Sequence, residues 1–285
     1  MGSPSNESGR KANEYYHKVT LTKDYYIGIF EVTEKQYALV KGGSGSSMKA
    51  ILTTYANTRG DHQKEDSMGY RTSKSSYCWP DSTSVASSSF VGLLRSKTSI
   101  KTFDLPTEAQ WEYAAKGGCV KGVYTGNDCS SSAVNEVARN IGNKGDGKGD
   151  ASSTTVTYVG LYMPNAIGVY DMLGNAAEWC VDAYKANLGT GAVTDPKGGT
   201  ATIQSYNQYW IYRVIKGGGV VGGHYIKWHD SGWYGNGYNS SFLPYNACRP
   251  ASRATTVTDT GSTGQDIGES STLVTCGFRV MCYAQ

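Results

Sequence analysis

Across 285 residues, no apolar run approaches the ~20 residues that a membrane-spanning helix requires. Charge is scarce too: Asp, Glu, Lys and Arg make up 18% of the chain, and the net charge is +3. No basic cluster exceeds two residues, so the electrostatic footprint of a nucleic-acid binder is missing. No Cys-x-x-Cys pair occurs, which removes the zinc-ribbon and thioredoxin-like readings. No leader with a charged start and an apolar stretch is visible, nor any repeat of fixed period or clean linker.

Glycine and tyrosine fill the space instead, at 36 and 22 residues. That much glycine implies a turn-rich fold, and low charge with many aromatics argues against general disorder. One compact domain of low regular-structure content is expected over residues 20–285, after a polar, disordered start over 1–19. The seven cysteines are Cys78, Cys119, Cys129, Cys180, Cys248, Cys276 and Cys282. Cys119 and Cys129 flank a turn-rich segment and could close a small disulfide loop in an oxidising compartment; the alternative is buried, unpaired thiols.

Two helices announce themselves by their caps. In TEKQYALVKGG, Thr33 caps the helix, Gln36 completes a capping box, and Gly42 and Gly43 stop it. In LPTEAQWEYAAKGG, Thr107 and Gln110 play the same parts, with Trp111, Ala114 and Ala115 on one face and Gly117 and Gly118 at the end. A short helix is expected around Val91–Lys97. Strands are expected in YYHKVTLTKDYYIGIFEVT, in RVIKGGG and in the closing CGFRVMCY.

The oddest segment is GGHYIKWHDSGWYGNGYNSSFLPY, Gly222 to Tyr245. It carries seven aromatic residues without a helical or strand period, and its formal charges are Lys227 and Asp230 alone. Tyr, Trp, Gly, Ser, Asn and His are the vocabulary of adaptable binding surfaces, where aromatics give contact area at low entropy cost. Candidate ligand-binding residues are His224, Tyr225, Trp228, His229, Asp230, Trp233, Tyr234, Asn236, Tyr238, Asn239, Tyr245 and Asn246. The competing reading is aromatics folded back to pave a loop-rich domain.

Six phrases in order, YYIGIFEVTEKQY, LPTEAQWEYAAKGG, NAIGVYDMLGNAAEWCVDAY, RVIKGGG, CRPASR and CGFRV, resemble the formylglycine-generating-enzyme/sulfatase-modifying-factor family. The resemblance runs from about residue 20 to 283. It implies an α+β, single-domain, elaborated C-type-lectin-like fold.

Enzymes of that family oxidise a substrate cysteine with a cysteine pair and bound copper. The matching positions here fall around Gly222 and Tyr245, and Cys248 is alone between residues 182 and 275. The family's GGS reads GGG, with Gly219 for the serine, and GNAWEW reads GNAAEW, with Ala177 for a tryptophan. The resemblance therefore implies a scaffold without its catalytic pair. The alternative is an oxidase or sulfoxide synthase with an atypical site, using Cys248 or an iron set of His224, His229 and Asp230. A third class is a structural subunit of a surface or phage assembly.

The family also binds structural Ca²⁺, which implies one site from Asp171, Gly174, Ala176 and Glu178 and a second from Asn140, Ile141 and Asp150. Hydrogen-bonded turns without metal are the alternative.

A branch of the same fold serves as variable proteins of diversity-generating retroelements, in which adenine-targeted mutagenesis rewrites a C-terminal segment. Randomised Asn codons yield mainly Asn, Tyr, Ser, His, Asp, Gly and Phe, and Gly222–Tyr245 resembles that output within a ligand-binding region of about 213–279. Trp228, Trp233 and Lys227 cannot arise that way and would be scaffold or come from other codons. The expected partner is a protein or surface-receptor ligand. The expected location is the cell surface, outside the cell or a phage particle, rather than that of a cytoplasmic enzyme.

Overall fold

The computed structural model describes residues 1–7, 9–59, 85–117, 131–140, 156–199, 202–203, 209–210, 213–220, 226–228, 233–234, 248–256 and 276–284. Within them five helices form: α1 Glu34–Lys41, α2 Tyr55–Thr58, α3 Phe90–Thr98, α4 Glu108–Ala115 and α5 Ser131–Val137. The strands are short: β1 Val19–Thr20, β2 Tyr25–Ile27, β3 Glu178–Ala183, β4 Val193–Thr194, β5 Thr202–Ile203, β6 Tyr209–Trp210, β7 Arg213–Lys216, β8 Ile226–Trp228, β9 Trp233–Tyr234, β10 Ala254–Thr256 and β11 Met281–Tyr283.

Both capping boxes form as read. The Thr107 hydroxyl accepts the Gln110 backbone N–H at 3.2 Å, while Gln110 Oε1 receives the Thr107 N–H at 2.9 Å. Gly117, at φ +65°, turns the chain out of α4 in the left-handed conformation that glycine adopts without strain. α1 starts on the Thr33–Gln36 box and ends at Gly42. The expected helix near Val91 is α3, and the expected strands are β1, β2, β7 and β11.

The largest sheet among the described residues has five strands in the order β3-β7-β10-β8-β9, all neighbours antiparallel. β7 is buried on both faces. Val214 packs with Trp111, Ala114, Ala115 and Met172 of one cluster, and Ile215 with Trp179, Leu105 and Phe278 of the other. The second cluster is knitted by edge-on aromatics, Phe90 on Phe278 at 5.0 Å and Tyr55 on Trp179 at 5.5 Å. The closing strand β11 returns to pair with β2.

Trp111, Ala114 and Ala115 do share one buried cluster, yet the burial of α4 extends beyond that face: Glu108, Gln110 and Glu112 are as buried as Trp111, and Tyr113 alone is exposed. Its polar face is tolerable inside because it is paired with buried cations from elsewhere in the chain.

The opening 1–19 also packs onto the body instead of standing away from it. Ser3 and Glu14 are fully buried, Gly2 N–H donates to Glu112 Oε1 at 2.7 Å, and Glu7 and Glu14 both receive Arg249. Polar composition suggested disorder, yet these polar groups are the partners that a buried arginine needs.

Candidate functional site

The aromatic stretch enters the sheet at its edge. β8 pairs with β10 through Ala254↔Trp228 and Thr255↔Lys227, and β9 pairs with β8 through Ile226↔Tyr234 and Lys227↔Trp233. Trp228, Trp233 and Tyr234 therefore lie on paired backbone. The absence of a period in the sequence had hidden both strands; β8 pairs with β10, and β9 with β8 in turn. Of the remaining candidates, His224, Tyr225, His229, Asp230, Asn236, Tyr238, Asn239, Tyr245 and Asn246 lie outside the described residues.

Both ends of the stretch are anchored in buried structure. Upstream, Lys216 is fully buried, with its ammonium 3.2 Å from Glu112 and 3.9 Å from Glu108. Downstream, Arg253 grips Glu108 with two hydrogen bonds, and Arg249 reaches Glu7 and Glu14. Carboxylates of α4 thus hold the strand before the stretch and the turn after it. Burial pushes the Glu112 carboxyl up, but the Lys116 and Lys216 ammoniums outweigh it and hold the group at about 2.

The GGG motif closes the upstream root. Gly217, Gly218 and Gly219 all take positive φ, of +90°, +68° and +111°. A side chain on Gly219 would place its Cβ 2.6 Å from the Asn175 carbonyl oxygen. The glycine that stands for the family's serine is thus demanded by this backbone. Gly217 O accepts the Gly174 N–H at 2.8 Å, and Asn175 O accepts the Val220 N–H at 2.9 Å, which docks the GGG root on the 171–178 turn.

That turn contains the expected calcium ligands, organised as an arginine-centred cluster. Glu178 is fully buried and receives Arg279 Nε, Arg279 Nη2 and Trp111 Nε1. Asp171, at φ +54°, accepts the Gly160 N–H at 2.6 Å. Glu31, which the sequence reading missed, takes the Ala176 N–H at 2.8 Å and the Asn175 side-chain amide. Both Glu178 oxygens are engaged, and Arg279 already brings the compensating positive charge.

Burial, reinforced by the neighbouring Asp171 and Glu178 charges, pushes the Glu31 carboxyl well above the carboxylate range. Burial likewise raises Asp171 to about 6, against the pull of the Gly160 hydrogen bond and Arg279. Of the second set, Asn140 is buried and donates to Asn135 Oδ1 at 2.9 Å; Ile141 and Asp150 lie outside the described residues. Among the described residues, no three His, Cys, Asp or Glu side chains are grouped to hold a metal ion.

Three of the four described cysteines are deeply buried. Cys248 is fully buried, and burial pushes its thiol up to about 12 despite a hydrogen bond from the Gly219 backbone. Cys180 and Cys276 are buried thiols raised well above their ordinary value, and Cys282 is half-buried. Cys78, Cys119 and Cys129 lie outside the described residues. No helix among the described residues is long and apolar enough to cross a membrane.

Comparison with known proteins gives this architecture a context. The chaperone protein LppX of Paenibacillus barcinonensis is 31% identical over 188 residues, 59% of this chain and 65% of the relative. The formylglycine-generating enzyme of Thermomonospora curvata is 33% identical over 131 residues, 41% of this chain and 38% of that enzyme. The inactive C-alpha-formylglycine-generating enzyme 2 of Bos taurus is 38% identical over 84 residues, 29% of this chain and 27% of the relative. The chain thus spans less than two thirds of these relatives.

Two solved structures share the fold over the whole chain. Treponema denticola variable protein 1 gives a TM-score of 0.54 at 20% identity with 92% of its chain covered; PvdO from Pseudomonas aeruginosa gives 0.56 at 20% with 90% covered. The sulfatase-modifying factor enzyme 1-like domain model matches residues 1–255, taking in the opening segment that packs on α4. With its single α+β domain of short strands and long connections, the chain belongs to this formylglycine-generating-enzyme-type family.

Proposed function

We propose that this protein is a non-catalytic ligand- or receptor-binding member of its family, presenting the aromatic-rich segment Gly222–Tyr245 as its binding surface. The observation that carries this reading is the anchoring of that segment. A stretch of binding-type composition starts from one buried ion pair, Lys216–Glu112, and returns to another, Arg253–Glu108. Residues between such fixed ends can change without disturbing the core that holds them, which is what a binding module built on a constant scaffold requires. The likeness of the fold to a variable protein supports the same reading, as does the presence of relatives named as inactive. A standard interface of about 800 Å² per partner would engage most of the segment.

The test is to sequence the DNA flanking the gene. A near-copy of the segment encoding Arg213–Arg279, differing almost solely at adenines and lying beside a reverse-transcriptase gene, is the expected finding. A flank without such a copy, together with turnover of a cysteine-containing peptide by copper-loaded protein, would establish an enzyme instead.

A further inference from the structure

Residues 25–30, 42–48 and 156–170 include no Asp, Glu, Lys or Arg, although 18% of the chain is charged. The fold brings these stretches together. The Met48 carbonyl accepts the Val159 N–H at 3.1 Å, and the next residue, Lys49, forms an antiparallel bridge with Tyr158. The Ile29 carbonyl accepts the Tyr170 N–H at 2.9 Å. The Phe30 ring ties the two contacts together. Its centroid lies 4.9 Å from that of Tyr170, and its edge lies against Gly160, where a Cβ would stand 2.8 Å from Phe30 Cε1.

The surface that results is apolar and open. Met163 is 62% exposed, Ile29 54%, Tyr158 49%, Met48 44%, Leu161 41% and Phe30 39%. Tyr162 is buried between Leu161 and Met163, so these two side chains stand on a segment that is itself held to the body. The charges that border the stretches do not reach into the patch. Glu31 and Asp171 are buried, and the Lys49 ammonium lies 5.8 Å from the Tyr158 ring centroid. Methionine and aromatic side chains with charge kept away are the composition that marks the centre of a protein interface.

Size and charge select the occupant. Side chains of this bulk carry about 200 Å² apiece, so at about half exposure the six leave roughly 600 Å² in water. A stable interface takes about 800 Å² from each partner, and in homodimers about 65% of it is apolar, so one copy must supply roughly 500 Å². The patch meets that requirement. Across a two-fold axis the same surface meets itself, so any charge near the axis faces its own like; a patch free of charge avoids that cost. A lipid surface would call for several basic residues among the apolar ones, and these stretches offer only the adjoining Lys49.

We propose that this patch is the interface of a two-fold symmetric homodimer, with Ile29, Phe30, Tyr158, Leu161 and Met163 of each copy against those of the other. None of these residues belongs to Gly222–Tyr245, so failure of this assignment leaves the reading of that segment untouched.

Sedimentation equilibrium of the full chain between about 1 and 100 μM tests it, and a dimer with a micromolar dissociation constant is expected. Ile29→Asp and Met163→Asp each place a carboxylate on an exposed position of the patch and should weaken the dimer at least about tenfold, with the circular dichroism spectrum unchanged. Hydrogen exchange of the wild-type chain gives an answer that needs no variant: peptides covering 29–30 and 158–163 should gain protection as concentration rises. A monomer at every concentration would overturn the proposal. So would a dimer that both aspartate variants leave intact, or one that Trp233→Ala dissolves while they do not. A monomeric chain that floats with phosphatidylcholine/phosphatidylserine vesicles would assign the patch to a lipid surface instead.

Discussion

Arg253 and Glu108 meet in a two-pronged, fully buried ion pair although 145 positions separate them in the chain. The pair joins the first turn of α4 to the turn that ends the aromatic segment, and Lys216 approaches the same carboxylate at 3.9 Å from the other side. Glu108→Gln removes the shared negative charge and leaves two buried cations undercompensated. We expect a loss of about 3–5 kcal/mol in urea unfolding. Under the proposed function, ligand binding by the aromatic segment should fall with it, because both roots loosen together. A loss below about 1 kcal/mol would show that the pair is not a structural clamp.

Trp233 and Tyr234 pair with β8 at the sheet edge, remote from α4. Under the proposed function, Trp233→Ala or Tyr234→Ala should weaken ligand binding by about 30-fold, as expected of a hot-spot residue. The melting temperature should move by less than about 3 °C if these side chains serve the ligand instead of the core. Pull-down of surface-exposed proteins, followed by titration of the captured one with wild type and variants, reads both quantities. Intact binding with a large drop in melting temperature would make these residues core.

Gly219 is the third point where the roots can be tested. Restoring the family's residue by Gly219→Ser forces a side chain into φ +111° and into the Asn175 carbonyl, 2.6 Å from the added Cβ. We expect a destabilisation of roughly 2–4 kcal/mol, read by urea unfolding. The same variant should not create activity toward a cysteine peptide, since the positions that match the family's cysteine pair fall around Gly222 and Tyr245, neither a cysteine. A neutral substitution would mean that the root adopts a different backbone from the one described.

Much of the fold was legible because its signals are local. Thr33 with Gln36, and Thr107 with Gln110, are neighbours whose hydrogen bonds follow from spacing alone. The family phrases located the GGG root, the 171–178 turn and the closing strand. The buried charges were not legible. Glu7 and Arg249 lie 242 positions apart, and no local pattern says that an acidic residue in a polar opening will pair with an arginine inside. Composition alone therefore suggested disorder for residues 1–19. Glu178 was readable as a functional carboxylate but not as the partner of Arg279, since both roles need the same residue type. Glu31 gave no signal, because an isolated glutamate in a strand-rich segment looks solvent-facing until Asn175 and Ala176 are placed beside it.

Cys248 tests the enzyme alternative directly. Its thiol is buried and pushed up to about 12, so the nucleophilic thiolate is nearly absent at neutral pH. Iodoacetamide at pH 8 should leave Cys248 unmodified in the folded protein and alkylate it after urea unfolding, as read by peptide mass mapping. Half-buried Cys282 should react first among the described cysteines. Rapid native alkylation of Cys248 would reopen a thiol-based mechanism.

Asp171 links the 171–178 turn to pH. Its carboxyl is raised from 3.8 to about 6 by burial, so between those values the folded protein holds a proton that the unfolded chain has lost. Stability must then fall as pH rises from about 4 to 6 and stay lower above it. A shift of this size corresponds to at most about 3 kcal/mol. Burial and the Glu108 charge raise Asp182 to about 7, which extends the same downward slope toward neutrality. Glu112 acts in the opposite sense. Held at about 2, it contributes stability that is present above its ordinary 4.5 and is lost as pH falls below that value. Asp171→Asn keeps an oxygen for the Gly160 N–H without the charge, so it should stabilise the protein at pH 8 by about 1–3 kcal/mol and leave stability at pH 4 nearly unchanged. Urea unfolding of wild type and variant at the two pH values measures the difference. Equal effects at both would mean that Asp171 does not titrate between them and that its charge is fully met by Arg279.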